Sequence, residues 1–316
     1  MKLGLQLSTG MIFFADTKEN IEMDNSQSQY ERVDNRAKTT YNPLVSIITA
    51  VLNGVKYLEP CIESVLNQSY PHIEHIFIDG GSTDATLDVL SRYSTKYPDR
   101  VRFISEPDEG RDEAANKGVQ IAKGEIFEFL GSDDMLEPDA IQTVVEFFRS
   151  NPDAYFVFGD CNYINEKGEV IKKVPTEDFN LKTIVNKRFY VPMTSAFYKR
   201  EVFKKVGLYY VNPEAAFVSD TDFIIRVGRA FPIHRIEQVL SSFRMHHWVF
   251  SGDSWERSKK GIRNIYLVTR QNGGGIFSWC SRIYYASLIV DWLRPLLGPI
   301  YPFIEKMVDK YRFKNR

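Results

Sequence analysis

The chain has 316 residues, enough for one large α/β domain or for a domain with an appendage. Its hydrophobic fraction of 43% is ordinary for a soluble globular protein, and its formal net charge of -1 argues against a general nucleic-acid binder. The near-neutrality hides an asymmetry, because residues 256–316 hold twelve Lys and Arg against four Asp and Glu.

Cys61, Cys161 and Cys280 form no CxxC pair and no disulfide framework, so a reducing, cytoplasmic compartment is expected. No run reaches the roughly 18 to 20 apolar residues of a spanning helix. The apolar stretch after Lys2 is interrupted by Gln6, Ser8 and Thr9, which does not make a signal peptide.

Residues 1–42 are polar, rich in Asn, Gln and Ser from residue 20 on, and are expected to be a mobile tail. Order is expected from Pro43. A β-branched strand over 44–51 ends at the turn signal Asn53-Gly54. Pro60 is expected to open a helix with Leu58, Ile62, Val65 and Leu66 on one face. Residues 73–79 read as a second strand, running into Gly80-Gly81-Ser82-Thr83-Asp84. A helix carrying Leu87, Leu90 and Tyr93 follows, then a strand over 101–106, a helix over 114–122 and a short strand over 126–130. Strand and helix alternating four times within about ninety residues call for a parallel sheet with crossover helices.

Beyond a helix at 139–149 the rhythm changes. A strand at 154–158, a hairpin over 163–174 turning at Glu166-Lys167-Gly168, and strands near 194–198 and 239–243 suggest one continuous sheet of mixed direction. The basic stretch from 251 on is expected to be a helical, amphipathic extension. Ile300, Ile304, Met307, Val308 and Tyr311 share one face there.

The stretch that organises the chain is 124–138. A two-sided buried strand ends at Gly131 and runs into Ser132-Asp133-Asp134, before Pro138. Carboxylates at the carboxyl end of such a strand lie where open α/β sheets bind ligands. Hard oxygen ligands in small number suit Mg2+ or Mn2+ shared with a substrate phosphate. The spacing alone is equally compatible with a turn that caps the next helix.

Residues 44 to about 148 resemble the nucleotide-sugar-binding half of family 2 glycosyltransferases of the GT-A fold. The strings that carry the resemblance are VSIITAVLNG at 45–54, SVLNQSYP at 64–71, IDGGSTD at 78–84, SEPDEG at 105–110, NKG at 116–118 and GSDDMLEP at 131–138. SDTDF at 219–223 and FRMH at 243–246 extend it to about residue 250. The resemblance implies a Rossmann-like, mainly parallel mixed sheet flanked by helices over 43–250, and the basic helical extension over 251–316 lies outside it.

By that resemblance Asp79 accepts a hydrogen bond from the nucleotide base, Asp133 binds the ribose, and Asp134 holds the Mn2+ or Mg2+ that bridges the diphosphate. The competing reading of Asp79 is a cap on its own turn. Asn116 and Lys117 are expected to face the donor, or else to be an ordinary exposed helix end. Glu113 stands where a subgroup of relatives carries Asp, so a donor-sugar contact does not carry over to it directly. Asp220 is expected to deprotonate the acceptor hydroxyl, with Asp222 as the alternative and helix capping as the competing reading. His246 matches a position given to a basic residue or metal ligand near the diphosphate, with His247 equally available and Arg244 beside it.

The resemblance thus implies transfer of a sugar from a nucleotide-sugar, expected to be a UDP-sugar, to a saccharide or lipid-linked acceptor with inversion, in a bacterial polysaccharide pathway. No nucleic-acid partner is expected, and oligomer formation stays open. Peripheral contact of 276–316 with the inner face of the membrane is expected from the basic surplus and from Trp279, Tyr284, Tyr285 and Trp292. A dehydrogenase would want GxGxxG after the first strand, and a P-loop enzyme GxxxxGK[ST]. Neither is present. A nucleotidyltransferase that makes nucleotide-sugars is the nearer rival, but the basic glycine-rich phosphate loop it would carry is missing. An inactive nucleotide-binding partner would have been free to lose these aspartates.

Overall fold

A computed structural model of the chain describes residues 41–186, 191–211, 219–245 and 254–297. The expected tail through residue 40, His246, His247 and the apolar face at 300–311 lie outside the described residues.

Four strands, β1 (Val45–Val51), β2 (Ile73–Asp79), β3 (Val101–Ser105) and β4 (Ile126–Phe129), run parallel in the order β3-β2-β1-β4. Helices α1 (Val55–Leu66), α2 (Thr86–Lys96) and α3 (Arg111–Ile121) connect them. Every residue of β2 is buried, as a parallel strand covered on both faces requires. Along β1 the period of two still sorts side chains between the layers. Ile47 enters the core with Cys61, Val65, Ile141 and Val144, while Ile48 enters the opposite one with Ala114, Val119 and Phe127.

The register pairs Val51 with Asp79, Asp79 with Ser105, and Ile48 with Phe129. The carboxyl ends of the parallel strands therefore finish along one edge, and residues 130–134 emerge there.

Helix α1 starts five residues earlier than expected, and Pro60 lies inside it. Its first turn is set by Gly54, whose carbonyl accepts from the N–H groups of Tyr57 and Leu58, each at 3.2 Å. Against β1, α3 packs so closely that a Cβ on Gly118 would fall 2.3 Å from Ile48 Cγ2.

The second half continues the same sheet in mixed directions. It adds β5 (Met135–Leu136), α4 (Ala140–Ser150), β6 (Phe156–Ile164), β7 (Val170–Val174), α5 (Leu181–Asn186), a 3₁₀ turn at Met193–Ser195, β8 (Ala196–Lys199), α6 (Arg200–Val206), α7 (Ser219–Ala230) and β9 (Ile233–Arg244). Next to β4 stands β8, then β6, β9 and β5, while β7 pairs with the outer half of β6. The expected strand at 154–158 is fused with the first arm of the expected hairpin. Polar residues in the middle had masked this. Asp160 is satisfied by the Thr176 N–H at 2.8 Å and its hydroxyl at 2.7 Å. Gly159 lets β9 approach, since a Cβ there would lie 2.5 Å from Leu240 Cγ. Helices α8 (Ser254–Gln271) and α9 (Trp279–Leu297) follow, and no described helix is long and apolar enough to cross a membrane.

One buried group of β2 carries a measurable consequence. His75 Nε2 lies 2.9 Å from Thr49 Oγ1, and the ring is 4.0 Å from that of Phe77. Burial, with the Arg100 charge added, pushes its pKa from 6.5 down to about 3, so the folded imidazole is neutral. The unfolded chain takes up this proton below pH 6.5, and the fold refuses it down to about pH 3. Stability from this group is therefore full above pH 6.5 and is lost as pH falls through that window, by up to about 1.4 kcal/mol per pH unit. Urea unfolding at pH 7 and pH 5 should show a smaller loss for His75→Gln than for the unsubstituted chain. Equal losses would contradict this account.

Candidate active site

The loops that follow β1 and β2 are stitched together. Asn53, with φ 51°, accepts from Thr83 N–H at 2.8 Å through its side-chain oxygen, and its own N–H donates to Ser82 Oγ at 2.7 Å. Asp79 has no solvent exposure. Its carboxylate accepts from the N–H groups of Gly81 and Ser82 at 3.1 and 3.0 Å, from Ser105 Oγ at 2.7 Å, and from Ser82 Oγ. Burial would raise its pKa, but these hydrogen bonds outweigh it and hold Asp79 ionised, below the usual value. In this structure Asp79 thus caps its own turn. Over Gly80 lies a carboxylate that the sequence had not singled out. A Cβ on Gly80 would come 3.0 Å from Asp108 Oδ2.

The organising pair divides unevenly. Asp134 is 2% exposed and accepts the Arg244 N–H at 2.8 Å, whereas Asp133 is half-buried. Below them Glu128 of β4 is fully buried, and neither carboxyl oxygen has a hydrogen-bond partner among the described residues. Burial pushes the Glu128 carboxyl well up, and the nearby Asp134 charge adds to it. Burial also pushes Asp134 up, followed by the Asp133 charge, against the Arg244 N–H that lowers it. Gly131 leaves room for the pair, since a Cβ there would meet Asp134 Oδ2 at 2.5 Å and Asp133 Oδ1 at 2.9 Å.

Arg244 lies against this group, and its charge works with its N–H to lower the Asp134 carboxyl. Its guanidinium donates to the carbonyls of Asp133 at 2.8 Å and Asn165 at 3.0 Å and lies over the Tyr57 ring. Three acidic side chains gather at this strand end, and hard carboxylate oxygens are the donor type a divalent cation takes. Among the described residues no group of three or more His, Cys, Asp and Glu is arranged as a metal cage. A cation here would have to complete its shell with oxygens of substrate and water, as Mg2+ and Mn2+ commonly do.

At the far side of the β4 end, Phe129 packs edge-on against Tyr209, which stacks on Phe223 of α7 at 4.5 Å. This aromatic wall brings the start of α7 to the start of α3. Arg111 Nη1 lies 3.0 Å from Asp220 Oδ2, and Nη2 lies 3.1 Å from Oδ1. Asp222 is engaged elsewhere, with its Oδ2 2.8 Å from Arg226 Nε, and Arg226 also donates to the carbonyls of Val206 and Leu208.

Two expected donor contacts are taken up by the protein itself. The Asn116 amide donates to the Tyr209 carbonyl at 2.9 Å and accepts the Tyr209 N–H at 3.0 Å, so it ties α3 to the segment after α6. Lys117 Nζ lies 2.8 Å from Glu106 and 3.1 Å from Glu113, an ion-pair group that also occupies Glu113. Asp108, Arg111 and Glu128 escaped the reading of the sequence.

Residues 46–207 match the family described as glycosyl transferase family 2. The hyaluronan synthase of Pasteurella multocida is 36% identical over 233 residues, 73% of this chain and 23% of that protein. An uncharacterized glycosyltransferase of Rickettsia felis is 29% identical over 214 residues, 65% of this chain, and the match spans only 35% of that relative. Among solved structures, Staphylococcus aureus TarS 1-349 in complex with UDP-GlcNAc superposes with a TM-score of 0.55 at 14% identity, covering 84% of this chain and 88% of that one. The mannosyltransferase PcManGT of Pyrobaculum calidifontis, in complex with GDP-Man and Mn2+, gives 0.53 at 16% identity and covers 85% of each chain. The fold is the GT-A fold expected from the motifs. With the family matched across more than half of this chain, the chain belongs to glycosyl transferase family 2.

Proposed function

We propose that the chain transfers a sugar from a UDP-sugar to a hydroxyl of a saccharide or lipid-linked acceptor, by single displacement with inversion, in the assembly of a bacterial polysaccharide. The observation that carries this reading is the convergence of the acidic strand end at 128–134 with Asp220 of α7 on one edge of the sheet. UDP-GlcNAc in the TarS complex and hyaluronan synthesis by a relative support the donor and product class.

In this reading the nucleotide lies along the 80–84 loop and residues 105–110, with Asp79 holding the loop's shape and Asp108 available as the acceptor above Gly80. Asp133, the more exposed of the pair, would hold the divalent cation, Mn2+ or Mg2+, in place of the buried Asp134, and a cation there would supply positive charge to the departing diphosphate. His246 remains a candidate second ligand. The acceptor oxygen forms its bond to the anomeric carbon as the bond from that carbon to the diphosphate oxygen breaks. The bonding pair leaves with the nucleoside diphosphate, and the hydroxyl proton passes to Asp220.

A panel of UDP- and GDP-sugars with Mn2+ tests the reading through release of nucleoside diphosphate. The fastest release is expected from a UDP-sugar. Release from GDP-sugars alone would overturn the base assignment, and release from none would overturn the reading.

The acceptor reading includes contact with an anionic bilayer. On α9 the side chains of Tyr285, Leu288, Ile289 and Trp292 stand at helical spacing and are all exposed, Trp292 by 74%. Ile276 and Phe277 are exposed just before the helix. The end of α8 is tied to the rest of the domain by Arg229 of α7, which donates to the Asn272 carbonyl at 3.3 Å, and α9 packs on α8 through Tyr284, stacked on Tyr266 at 4.2 Å. The basic surplus of this segment favours anionic headgroups. Trp292→Ala/Leu288→Ser should sediment less with phosphatidylglycerol vesicles than the parent chain. Equal sedimentation would remove the membrane contact.

A further inference from the structure

Arg111 is the first residue of α3 and follows Gly110, whose φ of 119° turns the chain into the helix. Its guanidinium spans two carboxylates. On one side Nε and Nη2 donate to Asp112 Oδ1 at 3.2 and 3.0 Å. On the other, Nη1 and Nη2 donate to the two oxygens of Asp220, and Nη2 also to Ser219 Oγ at 3.0 Å. The Asp112 side chain is 9% exposed, while that of Asp220 is 33% exposed.

We propose that Arg111 is the positioning residue for Asp220, fixing the plane of the carboxylate that receives the acceptor proton, with Asp112 as its buried anchor. This inference rests on the reading of Asp220 as general base.

The geometry supplies each element of such a device. A carboxylate in the first turn of a helix has several rotamers open to it, and a two-pronged guanidinium contact selects one. Each carboxylate oxygen gives one lone-pair direction to Arg111 and keeps another for the acceptor hydroxyl. The guanidinium does not give up its own proton, so the transferred proton has to stay on Asp220. When Asp220 becomes neutral, Arg111 still has Asp112 and is not left as an unpaired charge. Lys does not reproduce the two-pronged contact, which separates the effect of geometry from that of charge.

The test uses the full chain and the sugar nucleotide that gives the fastest release in the panel above. Arg111→Gln should lower kcat by about ten- to a hundred-fold, the scale on which misplacement of a reacting group acts. The KM for the donor should change by less than about two-fold. Arg111→Lys should recover only a small part of the loss. Arg111→Gln placed in an Asp220→Asn background should add no further loss, a result that a general loss of fold would not produce. If Arg111→Gln keeps full kcat while Asp220→Asn is inactive, the positioning role falls and the base assignment stands. If Arg111→Gln raises donor KM at unchanged kcat, Arg111 is a donor contact and the inference is overturned. If Asp220→Asn is itself fully active, the failure lies in the proposed base.

Discussion

Asp220→Asn is expected to lower turnover by roughly a hundred- to ten-thousand-fold, the range a general base contributes. The amide keeps nearly the same shape but takes no proton from the acceptor hydroxyl. Nucleotide affinity should hardly change, because on this reading the donor is held at the strand ends by residues 80–84, 105–110 and Asp133. Asp222→Asn should leave turnover near normal, since its carboxylate serves Arg226, which pins two carbonyls after α6. Its cost should appear in thermal unfolding, at about 1–3 kcal/mol for one lost charged hydrogen bond. Kinetics of both variants, with the anomeric configuration of the product read by NMR, provide the check. A product that retains the donor's configuration, or an Asp220→Asn enzyme with full activity, would remove Asp220 from the base role.

The second large effect concerns the acidic strand end. Chelation with EDTA should abolish transfer and added Mn2+ or Mg2+ should restore it. Asp133→Asn should lose at least about a hundred-fold, corresponding to roughly 3 kcal/mol of charge stabilisation in the transition state. Asp134→Asn should lose less. Its carboxyl is already pushed toward the neutral form by burial and by Asp133, and an amide oxygen can still accept the Arg244 N–H. Removing its charge also relieves the buried Glu128, whose oxygens have no partner among the described residues, so the fold should be no less stable. The opposite order, with Asp134→Asn inactive and Asp133→Asn active, would return the metal to Asp134. Turnover unaffected by EDTA would remove the metal altogether.

Much of this architecture can be read from local pattern. VSIITAV and IEHIFID are rich in apolar and β-branched residues because both faces of a parallel sheet are covered. Asn53-Gly54 and Gly80-Gly81 mark the turns at their ends, and the order of the strings from 45 to 138 identifies the family before any coordinate is known. These features depend on residues close together in the chain, so spacing alone carries them. The fused β6 was harder to read, because Asp160 looks like a turn residue until its partners at Thr176 are in place.

The roles of individual side chains were decided by packing. Asp133 and Asp134 are neighbours in sequence, yet only burial tells which one faces solvent and which lies over Glu128. Asn116 looked ready for a ligand until its amide met Tyr209, 93 residues away. The choice of Asp220 over Asp222 came from resemblance alone, and their different partners, Arg111 at 109 residues' distance and Arg226 four residues on, appear only in the fold. A sequence determines which groups exist and on which element each one sits. Desolvation and long-range pairing, which decide whether a carboxylate is anchored, protonated or exposed, come into being only when the elements close on one another.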